Sequence, residues 1–345
     1  MSNNQYKKPV RIQPLQVLKF LKDVFSALSS SPQRHPELFV SGLQGLKKVY
    51  IINHPGLAQH ILQKNYTNYV KGDGYKVVAR LLGKGLVTND GENWHKQRTL
   101  IQPAFHRGTL KKISEIVTSS TNAVLDSWKN KEGQSINFTQ EMAGLTIDIV
   151  AKSLFTTDVT PRQIQTIWHN VNYLNESSDK ILRNPLPMPW FVPTPEHLKM
   201  RKAIAELDDL MYGIINRRKT EKNPPLDLLQ MLLEARYENS DQGMSDQQIR
   251  DEVMTIFLAG HETTVNALSW TWYLVKQHAG VEKLLREESE TLALNRDPVF
   301  EELPGMPYGR NVGSADYVQV VCLSEKNWDS NSVCIQIFSK VKPSC

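Results

Sequence analysis

The chain has 345 residues, 40% hydrophobic and 22% charged, an ordinary globular composition with room for one large domain or two smaller ones. No run of eighteen apolar residues occurs and Met1 to Lys8 lead into no apolar core, so neither a transmembrane anchor nor a signal peptide is expected, and a cytoplasmic location is. The net charge of +5 is carried by residues 1–50, with eight Lys/Arg against two Asp/Glu. Without interleaved aromatics, that basic end suits a solvated face, an anionic membrane or an acidic protein partner, and not nucleic acid.

Val17, Leu18, Phe20, Leu21, Val24, Phe25 and Leu28 recur at helical spacing and predict a helix over 17–28. Gly42 and Gly45 bracket a turn before Val49-Tyr50-Ile51-Ile52, a short buried strand by composition. His54-Pro55-Gly56 ends the strand and opens a helix through Leu62. Helical periodicity runs from about Asn93 to Trp128, broken near Pro103, and again over 142–155 and 163–182, with Ile136-Asn137-Phe138 as an extended link.

Five prolines between Pro185 and Pro195 forbid a helix there. With Trp190 and Phe191 among them, the segment is either the lip of a channel or a packed connector. Helices follow over 196–219 and 226–237. Ser245-Asp246-Gln247-Gln248 is a helix-start signature that opens the longest helix, through about Lys276. A further helix covers 281–294. After Pro307 the texture changes: Tyr317–Cys322 and Val333–Phe338 are strand-like, and all three cysteines (Cys322, Cys334, Cys345) fall in this stretch without C-x-x-C spacing. The two strand-like runs have no evident partner, which predicts an aggregation-prone tail. The fold class is therefore mainly α with a small β region.

Two clusters carry chemistry. In Leu258-Ala259-Gly260-His261-Glu262-Thr263-Thr264 a glycine, an acid and two threonines interrupt the apolar periodicity of the longest helix. Gly260 costs a helix interior about 1 kcal/mol relative to alanine and admits close approach to the backbone. Thr263 can bond the carbonyl of Ala259. A groove with a carbonyl, a hydroxyl and a carboxylate suits proton delivery; a small-residue crossing between packed helices accounts for the same glycine. His261-Glu262 is not a zinc-protease start, because the position four residues on is Val265. In the second cluster, Trp94 and Arg98 share a helix face ahead of Pro103-Ala104-Phe105. An indole N–H beside a guanidinium suits a carboxylate, although a surface cation over an aromatic ring needs no ligand.

The W-x-x-x-R with P-A-F and the A-G-x-E-T-T, in that order, resemble the C and I helices of cytochromes P450, over a stretch from near Phe39 to about Val312. The chain is most similar to soluble bacterial members with a GHETT helix, of the fatty-acid-oxidising type. The resemblance implies a haem-dependent monooxygenase that inserts one oxygen atom from O₂ into an apolar, fatty-acid-like substrate. It implies a separate electron donor of the ferredoxin or flavodoxin type. It would place Trp94 and Arg98 on the haem propionates, Ala259 and Gly260 over the porphyrin, Glu262 and Thr263 as the acid–alcohol pair, and Val87 beside the substrate. The proline-rich loop would join the F and G helices.

Two family elements are missing from these 345 residues. No glutamate has an arginine three residues later, so there is no E-x-x-R pair. None of the three cysteines sits in an F-x-x-G-x-x-x-C-x-G loop, so the axial thiolate that would bind the iron is absent. The expected organisation is a basic segment and helix over 1–38, a P450-like domain over 39–312 and a non-family tail over 313–345, the mark of a shifted frame or run-on. The expected architecture is an incomplete P450 fold lacking the proximal cysteine loop. Haem retention and turnover are not expected of this chain; the competing reading is a non-catalytic fragment that binds an apolar ligand or a redox partner.

Overall fold

The computed structural model describes residues 10–11, 38–41, 48–52, 54–72, 74–105, 107–184, 187–236, 241–292, 297, 299–314, 318–325 and 331–338. The helix expected over 17–28, the Gly42/Gly45 turn and Cys345 lie outside them.

Helices dominate. They are α1 (Pro55–Gln59), α2 (Gly74–Leu82), α3 (Gly91–Ile101), α4 (Arg107–Lys129), α5 (Phe138–Phe155), α6 (Pro161–Arg183), α7 (Pro195–Thr220), α8 (Leu228–Glu234), α9 (Asp246–Gln277), α10 (Ala279–Leu292) and α11 (Pro307–Ser314). Short polar residues start them as physics demands. Asn137, Thr160, Thr194, Asp227 and Ser245 each accept a hydrogen bond from a first-turn backbone N–H. Phe138 begins α5 instead of sitting in an extended link; only its cap, Asn137, is extended. The helix expected over 226–237 contracts to α8, because Asp227 is its cap and Ala235 leaves helical geometry.

Heptad-like burial ties α7 to the centre: Met200, Ala203, Leu207, Met211 and Ile215 lie on one stripe, each worth roughly 1.5–3 kcal/mol when fully buried for the larger side chains. The same core takes Ile147 and Ala151 from α5, Leu229 from α8 and Val253 from α9. Phe155 stacks on Phe257 at 6.2 Å, joining the end of α5 to the middle of α9. Arg218 is buried at the end of α7. It holds both carboxylate oxygens of Asp227 (2.5 and 2.8 Å) and the carbonyl of Phe155 (2.8 Å), which fixes α5, α7 and α8 together.

One six-stranded sheet flanks the helices. In chain order its strands are β1 (Val10–Arg11), β2 (Leu38–Ser41), β3 (Lys48–Ile52), β4 (Tyr69–Lys71), β5 (Val318–Glu325) and β6 (Asn331–Phe338), and across the sheet they run β1-β2-β3-β6-β5-β4. The sequence leaves the two tail runs without partners; the structure supplies them. β6 lies parallel to β3 with Ile52 opposite Ile335, and β5 lies antiparallel to β4 with Tyr69 opposite Glu325. A period-2 hairpin can fill a gap between any two open strand edges, and that pairing is invisible to local sequence.

Candidate functional site

α9 crosses the core, and its faces separate sharply. Ile249, Val253, Phe257, His261 and Val265 recur every fourth residue and are all buried. Ala259, Thr263, Thr264 and Asn266 are exposed in mid-helix. The hydroxyls of Thr263 and Thr264 donate to the carbonyls of Ala259 and Gly260, both at 2.7 Å. Those two carbonyls are also the helix's own acceptors, so the ladder is shared there and the helix face is loosened. Gly260 serves packing: a Cβ added to it would lie 3.2 Å from Cγ2 of Val150 on α5. Its side of the helix is thus the close crossing with α5, and only its backbone borders the open face.

Glu262 leans toward α6, where Asn175 donates to its Oε1 at 2.8 Å. Burial raises the pKa of this carboxyl and the Asn175 hydrogen bond opposes the rise. His261 falls on the buried stripe, edge-on to Trp168 at 6.3 Å. Neither of its ring nitrogens has a partner among the described residues, and burial lowers its pKa to about 4, so the imidazole is neutral. Neither partner residue on α6 was legible from spacing, since both depend on how α6 packs across α9.

Trp94 and Arg98 share a face of α3, with the guanidinium 5.2 Å from the indole ring centre. Arg98 is exposed and has no anionic partner among the described residues. Phe105, in the 3-10 turn after α3, is 48% exposed. Val87 sits in the loop between α2 and α3, 38% exposed.

That loop is bound to α9 by polar contacts. The N–H of Lys84 donates to Asp251 Oδ2 at 2.8 Å and the N–H of Leu86 donates to Glu252 Oε2 at 2.9 Å. Gln97 of α3 donates to the Lys84 carbonyl at 2.9 Å, and Lys71 of β4 donates to the carbonyl of Leu86 at 3.1 Å and to that of Asn89. The loop therefore joins the helix of Trp94 and Arg98 to the helix of Thr263. Glu252 is fully buried, and desolvation pushes its carboxyl up to about 7 against the pull of the Leu86 N–H and the Lys71 ammonium. Desolvation also lowers the Lys71 ammonium, against the attraction of Asp90 and Glu252. An acidic pair inside an apolar helix, Asp251-Glu252 beside Ile249 and Val253, was the available sequence signal for this contact.

The proline-rich loop is packed at one residue and exposed at two others. Trp190 is packed between the guanidinium groups of Arg80 (4.7 Å) and Arg201 (5.1 Å) and beside His197 (5.0 Å). Phe191 and Met188 stand 79% and 54% exposed. Pro185 and Leu186 lie outside the described residues.

The open patch on α9 fits a flat group. Small residues at Ala259 and Thr263 leave its face bare where the buried N-terminal half of the helix gives way to a largely exposed C-terminal half, and Arg98 offers a guanidinium with no counter-ion among the described residues. Both features fit a porphyrin with carboxylate arms; nothing among the described residues completes a cluster of metal-ligating side chains. No helix among them is long and apolar enough to cross a membrane.

Comparison with known proteins agrees. The sequence profile of the family described as Cytochrome P450 matches residues 10–312. "Cyclooctatin synthase" of Streptomyces melanosporofaciens is 32% identical over 78% of this chain and 59% of its own length. From the same organism, "Cyclooctat-9-en-7-ol 5-monooxygenase" is 30% identical over 78% and 58%. "Pentalenene oxygenase" of Streptomyces avermitilis is 28% identical over 76% and 58%. This chain thus spans under three-fifths of the length of these relatives. The "cytochrome P450DA heme domain" crystal structure superposes with a TM-score of 0.80 at 20% identity, covering 96% of this chain and 76% of that one, which establishes the fold. With a profile match over most of its length and the family's fold, and with haem as that family's cofactor, this chain belongs to the cytochrome P450 family.

Proposed function

We propose that this chain is the oxygen-side part of a haem monooxygenase acting on an apolar small molecule. The observation that carries the reading is the bare Ala259/Thr263 face in the interior of α9. Bound haem supplies the activation of dioxygen, with electrons from a separate ferredoxin- or flavodoxin-type donor protein. Trp94 and Arg98 hold the propionates through N–H donors. Ala259 leaves room above the ring, together with the backbone of Gly260. Glu262 and Thr263 hold protons for delivery at Oε and Oγ1, and the raised pKa of Glu262 keeps a proton available nearer neutrality. Asn175 orients that carboxyl by its hydrogen bond. Val87 forms part of the substrate wall, and the exposed Phe191 and Met188 form an apolar lip at its mouth.

Two of the relatives are named for oxygenation, of cyclooctat-9-en-7-ol and of pentalenene. Neither name is that of a fatty acid, so the reading stays at the apolar class. The 345 residues hold no E-x-x-R pair and no cysteine loop. We therefore propose that this polypeptide alone does not turn over and behaves as a non-catalytic P450 fragment, with 313–345 as a tail outside the family sequence. The chain produced with a haem supply and reduced under CO tests this. A thiolate-type absorption band would refute the inactive reading, and protein that takes up no haem would support it.

A further inference from the structure

The loop Gly83–Asn89 approaches α9 closely at its two glycines. A Cβ on Gly83 would sit 2.1 Å from Asp251 Oδ1, and one on Gly85 would sit 2.1 Å from Thr255 Oγ1 and 2.6 Å from the Asp251 carbonyl oxygen. Gly83 also has φ +65°, which favours glycine. The backbone thus meets the helix directly, through the two carboxylates already described. Asp251 is itself held, by Gln247 Nε2 at 2.9 Å and Arg250 Nη1 at 3.0 Å. The loop is braced from its other side by Thr88 Oγ1 to the Gly83 carbonyl (2.6 Å) and by Asn89 Nδ2 to Gln97 Oε1 (3.0 Å). Two buried oxygens at the contact, Glu252 Oε1 and Thr255 Oγ1, have no partner among the described residues. Unsatisfied buried acceptors make a contact conditional: it is stable only while the charge and protons there suit it.

We propose that Asp251 and Glu252 are positioning residues that dock the Gly83–Asn89 loop onto α9, fixing Val87 relative to the Ala259–Thr263 face. The functional meaning of this docking rests on the role proposed above for Val87; the docking itself does not. Asp251 and Glu252 lie on successive positions of α9, and Glu252, Thr255, Ala259 and Thr263 follow one another along a single helical stripe. The substrate wall and the oxygen face are therefore registered to one rigid element, which is how a site keeps its geometry when the wall itself is a loop. The charged groups that act on Glu252 are Lys71 from β4 and Asp251 from its own helix; Arg250 pairs with Asp251 and with Asp208 of α7, and Asp90 acts on Lys71. Lys71 and the loop N–H favour the carboxylate; burial and Asp251 oppose it and prevail.

The test is hydrogen–deuterium exchange of the full chain between pH 5 and 8, corrected for the intrinsic rate, reading the amides of residues 84–89 against those of α5 and α7. It requires neither haem nor turnover, so failure of the monooxygenase reading leaves its outcome legible. The docked loop keeps water from Glu252, and this desolvation outweighs the pull of the Leu86 N–H, so the docked carboxyl prefers its proton and the docking weakens as pH rises through its titration. Protection of the loop should fall at least about tenfold over this range in the native chain while α5 and α7 keep theirs. E252Q keeps an acceptor for the Leu86 N–H and should hold the loop with a flat pH profile. D251N should likewise preserve protection, whereas D251A and E252A should lose it by about tenfold or more. Loop amides equally protected in D251A and E252A, or a pH dependence that survives in E252Q, would overturn the assignment. Should the alanine variants not fold, the E252Q profile decides alone.

Discussion

Two buried groups on α9 titrate in opposite senses, and the structure predicts that they mask each other. Glu252 has its carboxyl raised from 4.5 to about 7 by desolvation, so the folded chain binds this proton more tightly than the unfolded chain. Its contribution to stability is fully present below pH 4.5 and is lost as pH rises to about 7. His261 has its imidazole lowered from 6.5 to about 4, also by desolvation, so the folded chain binds that proton less tightly. Its contribution is present above pH 6.5 and is lost as pH falls to about 4. Each shift corresponds to about 3 kcal/mol, and over the shared window the slopes are equal and opposite. Replacing one group exposes the other. Urea unfolding followed by circular dichroism, in steps from pH 4 to 8, gives the stability of each variant relative to the native chain, so that ordinary carboxylate titrations cancel in the difference. E252Q should gain about 3 kcal/mol on the native chain between pH 4.5 and 7, because its charged-state penalty is gone. H261L should lose about 3 kcal/mol against the native chain between pH 4 and 6.5. Difference profiles flat to within about 0.5 kcal/mol would mean that neither group is held as the packing requires, and would refute the reasoning.

The buried pair at the end of α7 gives a second prediction. R218M leaves Asp227 buried without the two hydrogen bonds it accepts from Arg218 and should cost about 3–5 kcal/mol, read from the urea midpoint; a loss below about 1 kcal/mol would contradict it. A third concerns Glu262. In N175L its carboxyl loses the one donor that opposes desolvation, so its pKa should rise further, and an infrared titration should find the protonated carboxyl band persisting to higher pH. An unchanged titration would separate Asn175 from that acid.

Much of the helical frame is legible because it rests on periodicity and short polar caps, both local properties. α7 and α9 carry their buried stripes in the sequence, and Ser245 announces the start of α9. Within the functional patch, the bond from Thr263 to the Ala259 carbonyl follows from i,i+4 geometry alone. Position along a helix does not say what lies across it. Thus Gly260 serves both as a feature of the patch and as the crossing point with Val150, and only the approach of α5 shows that its absent Cβ faces packing. The same limit hid Asn175 behind Glu262 and the loop behind Asp251 and Glu252, contacts between residues 87 and about 167 positions apart.

By itself the sequence determined the helical architecture, the A-G-H-E-T-T patch and the absence of an E-x-x-R pair and a cysteine loop, because each of these is a matter of residue type at fixed short spacing. Tertiary structure alone decided which face of α9 is bare, which of its polar groups are buried and shifted, and where the strands of the tail find partners. Those depend on desolvation and on long-range pairing, and neither is encoded within one turn of helix or one strand.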